Sequence, residues 1–258
     1  MTDRLELAKQ VGIIARDAGA AILRIYENED FGVEHKADDS PLTKADKAAN
    51  DVIVAGLEAL DFQAPIVSEE LKEVSYAERK QYTRFWLVDP LDGTKEFIKR
   101  NGDFTVNIAL IENGGPVLGV VYIPVTDQLY YAATGAGAWE EGAAEPIEAA
   151  QYSMQDNGLK VVASRSHLSP ETEAFMQQLN DPEIVSRGSS LKLIELAKGT
   201  AHLYPRLAPT MEWDIGAAQI ILEEAGGKVI DQETGVRLAY NKQVLRNNHF
   251  IAYGRVND

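Results

Sequence analysis

The chain has 258 residues, 45% hydrophobic and 25% charged, the balance of an ordinary globular protein with room for one large domain or two closely packed ones. With 25 basic against 40 acidic side chains the formal charge is −15, which argues against nucleic acid or an anionic membrane as a partner at long range. Cysteine is absent, which excludes disulfides, zinc–thiolate sites and thiolate nucleophiles.

The apolar stripe of Leu5, Ala8, Ile14, Ala18 and Ile22 predicts a helix over residues 3–26. Its opening stretch, MTDRLELAKQ, lacks the apolar core of a signal peptide, and no run approaches the length of a membrane-spanning helix. A cytoplasmic location is the expectation. No amphipathic basic helix argues for attachment to a membrane surface, although peripheral attachment at the inner membrane stays open. The stretch EHKADDSPLTKAD is rich in turn formers and reads as loop, and a second helix spans about residues 44–60, with Ile53, Val54, Leu57 and Leu60 on one side. Strands are expected at APIVS, running into Glu69 and Glu70, and at RFWLV, running into Asp89. FTVNIALIENGGPVLGVVYIP then predicts an antiparallel hairpin turning at Asn113-Gly114-Gly115.

The second half alternates: strand LKVVAS, a helix after Ser169-Pro170, a strand around Ile184, a helix from Ser190 to Ala197, strand AHLYPR, a helix from Trp213 to Ala225, and strands near Val229 and Phe250. The first half is α+β and the second α/β, which predicts a layered sandwich of alternating helices and sheets. The whole of residues 1–258 is expected to act as one unit, with an unmarked subdivision into an N-terminal α+β half, 1–125, and a C-terminal α/β half, 126–258.

Within WLVDPLDGTKEF the segment DPLDG is a good turn sequence, and it also places Asp89 and Asp92 where a strand leaves the core. Glu69 lies at the end of another apolar strand, while Asp46 and Asp214 lie at helix starts, where an aspartate also serves as a cap. All four locations are element ends, where a fold can converge them. Only four histidines occur, His35, His167, His202 and His249, without metal-ligand spacing. Carboxylates without cysteine or paired histidine suit a hard divalent ion, magnesium or manganese. Two such ions about 3.5–4 Å apart are a common device for in-line phosphoryl displacement.

The set WLVDPLDGTKEF, SEE and EWDIGAA resembles the magnesium-dependent, lithium-sensitive phosphatases of the inositol monophosphatase superfamily. KADDSPLTKAD, KEFIKRNGDFTVNIALI, SRSH, GSSLK and LYPR resemble more narrowly its bacterial CysQ-type 3′(2′),5′-bisphosphate nucleotidases. The resemblance implies the sugar-phosphatase fold that inositol monophosphatase shares with fructose bisphosphatase. It implies Glu69, Asp89, Asp92, Asp214 and the Leu91 carbonyl as ligands of two or three Mg²⁺ ions, with Mn²⁺ able to substitute and Li⁺ an inhibitor. It implies Asp46 and Thr94 as the pair that orients and deprotonates the attacking water, with Glu69 contributing through a bound ion.

Gly93, Thr94 and Asp214 are expected to contact substrate, and the amides after Gly93 offer a seat for a phosphate oxygen. Basic residues lie in or beside the matching motifs at Lys36, Lys99, Arg100, Arg165, His167, Lys192 and Arg206, as a second phosphate requires. The positions of His167, Ser189, Lys192 and Arg206 match nucleotide contacts of the nucleotidases, and Lys36 is counted with them. The implied reaction is hydrolysis of adenosine 3′,5′-bisphosphate to AMP and phosphate, with 3′-phosphoadenylyl sulfate attacked at the same 3′ position, clearing a by-product of sulfate assimilation. The alternatives are an inositol monophosphatase or sugar bisphosphatase using the same metal site, and a non-catalytic binding protein. Oligomeric state is not legible in the sequence.

Overall fold

The computed structural model describes residues 4–27, 34–35, 41–163 and 169–257, so Lys36, Arg165, His167 and Asp3, the first residue of the expected N-terminal helix, lie outside the described residues. In chain order the elements are α1 (Arg4–Tyr26), β1 (Glu34–His35), β2 (Pro41–Leu42), α2 (Lys44–Glu58), β3 (Ile66–Ser68), α3 (Tyr76–Arg79), β4 (Arg84–Asp92), α4 (Thr94–Ile98), β5 (Thr105–Glu112), β6 (Gly115–Ile123), β7 (Gln128–Ala133) and β8 (Ala138–Glu140). They continue with β9 (Gln151–Ser153), β10 (Lys160–Ala163), α5 (Pro170–Met176), β11 (Glu183–Ser186), α6 (Leu191–Ala197), β12 (Leu203–Arg206), α7 (Glu212–Glu224), β13 (Lys228–Asp231), β14 (Phe250–Tyr253) and β15 (Arg255–Asn257).

Two sheets dominate. The first runs β3-β4-β5-β6-β7-β8, antiparallel except for the parallel β3–β4 pair, and the second runs β11-β10-β12-β14-β13. Alternation along β4 divides its side chains between two cores. Trp86 and Val88 join α1 and α2 on one face, while Phe85 and Leu87 join α6 and α7 on the other. The second sheet repeats the device: Val162 and Tyr204 face the α6–α7 layer, and Val161 and Leu203 pack with Phe175 and Met176 of α5. The result is five layers, helix–sheet–helix–sheet–helix, as the alternation in the sequence predicts. Among the described residues no helix is long and apolar enough to cross a membrane.

Several details depart from the sequence reading. The stretch taken as loop contains a two-residue antiparallel pairing, Glu34 against Leu42 and His35 against Pro41. The second half is less purely α/β than expected, because β14 enters antiparallel between β12 and β13. Helix α2 stops at Glu58, short of Leu60. The strands β7, β8, β9 and β15 and the short helix α3 carried too little periodicity to be read, being six residues or fewer.

Helix α7 occupies the middle layer and is apolar on nearly every side, as a helix between two sheets must be. Its one fully buried polar side chain in the helix interior, Gln219, accepts from the Tyr240 hydroxyl at 2.7 Å. Gly119 of β6 lets the helix lie close, since a methyl group there would collide with the Ala217 carbonyl oxygen and the Ile220 side chain. Gly119→Ala should therefore lower the urea unfolding midpoint by the equivalent of about 1–3 kcal/mol without changing the slope, the usual cost of overpacking. An unchanged midpoint would show that the helix–sheet spacing is not set there.

Candidate active site

The two parallel strands β3 and β4 end side by side, with the Glu69 amide donating to the Val88 carbonyl at 3.2 Å. This pairing sets Glu69 next to Asp89. Period-two alternation then turns Asp89 to the face shared with Phe85 and Leu87, beneath the start of α7. The start of α7 is itself held firmly. Glu212 is fully buried and accepts from the Asn241 and Lys242 amides at 2.7 and 3.1 Å, with the Lys242 ammonium 2.7 Å away. Asp214, in the first turn of α7, accepts from the Met211 amide at 2.9 Å. Glu69, Asp89 and Asp214 are thereby brought together, each offering an oxygen within 4.8 Å of the others'.

The electrostatics of this cluster are lopsided. Burial first, then repulsion from Glu69, Asp92, Asp214 and Asp46, pushes the Asp89 carboxyl well above the usual carboxylate range. Burial, the charge of Asp92 and that of Glu69 push Asp214 up to about 7, against the opposing pull of the Met211 amide and Arg206. Asp92 is raised by burial but eased by Ser189, Lys192, Ser190 and Asn107. Oxygen-only donors, crowded and short of positive charge, fit a hard divalent cation better than a soft metal.

Asp92 stands apart from the tight trio. Its Oδ2 accepts from the Ser189 hydroxyl and the Ser190 amide, both at 2.6 Å, and from the Asn107 amide group at 3.5 Å. The β4–β5 register shifts between Asp89 and Asp92, so the turn residues Pro90 and Leu91 bulge from the ladder. The Leu91 amide donates to Asp89 at 3.0 Å, and the Leu91 carbonyl lies 3.4 Å from the Thr94 hydroxyl. Gly93 makes the turn with φ of 96°, and a Cβ there would meet the Asp103 carbonyl at 2.9 Å.

Thr94 and Asp46 meet across the site. Asp46 Oδ2 is occupied by the Thr43 amide at 2.8 Å and the Thr43 hydroxyl at 2.6 Å, a helix-start arrangement that fixes the carboxylate. Its Oδ1 accepts from the Thr94 hydroxyl at 3.3 Å. The aspartate is thus a cap and a site residue at once.

From this cluster a cleft of about 510 Å³ opens, lined by Asp92, Gly93, Ser189, Lys192, Arg206 and Asp214 among others. Lys192 is 9% exposed, donates to the Ser189 carbonyl at 3.0 Å and lies over the Tyr204 ring. Arg206 donates to the Pro209 carbonyl at 2.7 Å, while its buried Nε has no acceptor among the described residues. Lys99 lines the cleft as well, together with Lys95 and Arg187, which the sequence reading did not single out. Arg100 does not line it and stacks on Tyr26. The sequence reading also missed Thr105, Asn107 and Ser190, which join Asp92 to the cleft. The available signal was two polar residues at period two in TVNIALI, a strand otherwise apolar on both faces.

A model of the inositol monophosphatase family matches residues 3–257. The 3′(2′),5′-bisphosphate nucleotidase CysQ of Salmonella typhimurium is 48% identical over 227 residues, covering 87% of this chain and 90% of that protein. The crystal structure of CysQ from Bacteroides thetaiotaomicron, a bacterial member of the inositol monophosphatase family, superposes with a TM-score of 0.83 at 42% identity over 97% of each chain. The Thermotoga maritima IMPase superposes at 0.79 with 26% identity, covering 98% of this chain and 93% of that one. Members of this family are metal-dependent, in keeping with the acidic cluster. By whole-chain sequence match and by fold, the chain belongs to the inositol monophosphatase family.

Proposed function

We propose that this protein is a metal-dependent phosphatase that removes the 3′-phosphate of adenosine 3′,5′-bisphosphate, giving AMP and phosphate, and that it acts at the same position on 3′-phosphoadenylyl sulfate. The observation that carries the reading is one cleft lined both by carboxylates, Asp92 and Asp214, and by cations, Lys192 and Arg206. The similarity to CysQ proteins supports the choice of ester. That the cleft takes residues from both sides of the 125/126 division supports reading the two halves as one catalytic unit. The protein works in the cytoplasm, clearing a by-product of sulfate assimilation.

Glu69, Asp89, Asp214, the second oxygen of Asp92 and the Leu91 carbonyl hold two or three Mg²⁺ ions; Mn²⁺ substitutes and Li⁺ inhibits. When bound, these ions supply an acidified water and neutralise charge on the phosphoryl oxygens. The chain's own residues do the rest. Thr94 gives its hydroxyl proton to Asp46, which leaves its oxygen lone pairs to accept from the attacking water. Asp46, clamped by Thr43, keeps that hydroxyl in one orientation and receives the proton as the water attacks. Water oxygen bonds to phosphorus, the bond from phosphorus to the ribose oxygen breaks, and the ribose oxygen regains a proton from solvent. The first-turn amides after Gly93 lack intrahelical acceptors and receive a phosphate oxygen. Lys192 and Arg206, which both line the cleft, receive the 5′-phosphate.

The test is phosphate release from adenosine 3′,5′-bisphosphate, inositol 1-phosphate and fructose 1,6-bisphosphate, each with Mg²⁺, with chelator, and with Mg²⁺ plus Li⁺. The expected result is Mg²⁺-dependent, Li⁺-inhibited release that is fastest from the nucleotide; faster release from the inositol ester would move the assignment to inositol phosphates. In the same assay Lys192→Ala should raise KM for the bisphosphate about tenfold or more, the loss expected for a charge-assisted hydrogen bond, and leave KM for 3′-AMP little changed. Equal effects on both would remove Lys192 from a second phosphate site.

A pH dependence follows from the crowded carboxylates. Because the folded carboxyl of Asp214 titrates near 7 against an ordinary 3.8, the native metal-free chain holds a proton that the unfolded chain has already released between those values. Stability of the metal-free protein should therefore fall as pH rises through that window, and the stabilisation by added Mg²⁺ should grow over the same window. Thermal midpoints in chelator and in Mg²⁺ from about pH 5 to pH 8 measure both trends. A midpoint in chelator that rose steadily with pH would contradict the assignment of crowded, uncompensated carboxylates.

A further inference from the structure

Thr105 is fully buried, does not line the cleft, and yet its hydroxyl touches three oxygens: Ser189 Oγ at 2.7 Å, Ser190 Oγ at 2.8 Å and Asn107 Oδ1 at 3.3 Å. In the β4–β5 ladder Thr105 stands opposite Asp92 and Asn107 opposite Asp89. We propose that Thr105 is a positioning residue: its hydroxyl donates to Ser189, holds the Ser189 hydroxyl on Asp92 and so ties the carboxylate centre to Lys192 through the Ser189 backbone.

The direction follows from counting protons. Asp92, as a carboxylate, can only accept. Ser189 spends its single hydroxyl proton on Asp92 Oδ2 at 2.6 Å, so in the contact with Thr105 it is the acceptor and Thr105 the donor. Asn107 must turn its amide nitrogen toward Asp92, which leaves its oxygen to accept from the Ser190 hydroxyl at 2.8 Å. Thr105 has one proton, and with it on Ser189 the chain from Thr105 through Ser189 runs one way, toward Asp92. Without it, Ser189 is free to rotate its proton into the cleft, and Asp92 loses a donor.

Ser189 has a second reason to need this support. Its φ of 51° lies in the left-handed region, which a residue bearing a Cβ enters at a cost. Its carbonyl also carries Lys192 Nζ at 3.0 Å. Loosening Ser189 therefore disturbs Asp92 and Lys192 together. Side chains that orient a metal ligand through hydrogen bonds commonly carry about 10–100-fold in metal affinity or activity. The proposal rests on the reading that Asp92 helps to hold divalent cations.

The test is calorimetric titration of Mg²⁺ into substrate-free protein, alongside KM for adenosine 3′,5′-bisphosphate. Thr105→Val keeps the shape and removes the hydroxyl; it should weaken Mg²⁺ binding about tenfold or more and raise KM, while Thr105→Ser restores both to near the wild-type values. Adding Ser189→Ala to Thr105→Val should cost much less than the two changes separately, because each breaks the same link. If Thr105→Val does not fold, Thr105→Ala is read by the same titration against Thr105→Ser. Wild-type Mg²⁺ affinity in the valine variant, or a serine variant as damaged as the valine one, would overturn the role of Thr105. A wild-type protein that binds no divalent cation would instead remove the metal reading beneath it.

Discussion

Bringing like charges together inside a protein is the constraint around which this molecule is arranged. At the separation reached by Glu69, Asp89 and Asp214, each ionised pair repels by roughly 3–4 kcal/mol if the effective dielectric is about 20. A fold of marginal stability does not keep such a cluster by accident. It is imposed by rigid elements: two parallel strands that end in register, a helix locked between sheets, and a buried Glu212 that ties the loop at 241–242 to the start of that helix. The cluster is preorganised for positive charge before any arrives, which is how an electrostatic site avoids reorganising at the moment of reaction.

The polarity of the cleft answers a difficulty raised by the net charge of −15. An acidic protein repels an anionic substrate at a distance, so the local field must be reversed where the substrate binds. Lys95, Lys99, Arg187, Lys192 and Arg206 around one cavity contribute to that reversal, and cations held by the carboxylates would complete it. Several of these basic groups already have protein partners: Arg187 pairs with Glu195 at 2.6 Å, and Lys192 is held by the Ser189 carbonyl. Lys192 and Arg206 are thus positioned in advance, and little side-chain entropy remains to be lost on binding.

Much of this was legible in the sequence, and for identifiable reasons. Apolar runs ending in acidic residues exposed Glu69 and Asp89, and the start of a strongly apolar helix exposed Asp214. The five-layer order follows from the alternation of long elements. What stayed hidden was short or non-local. Strands of three to six residues such as β7, β8 and β9 carry little period of their own and exist because neighbours pair with them. The link from Thr105 and Asn107 to Ser189 and Ser190 spans more than eighty residues, and no local pattern announces it. Arg100 illustrates the reverse error, since a basic residue in a matching motif stacks on Tyr26 away from the cleft. Sequence adjacency to a motif did not fix the direction of the side chain.

The central claim is that the converging carboxylates are a cation site. Crystals soaked in Mn²⁺ and measured for anomalous scattering test it most directly. The account predicts strong anomalous peaks within coordinating distance of Glu69, Asp89 and Asp214, with at least one reaching Asp92. Crystals that retained the fold but showed no peak at this cluster, or showed manganese only at surface carboxylates, would contradict it.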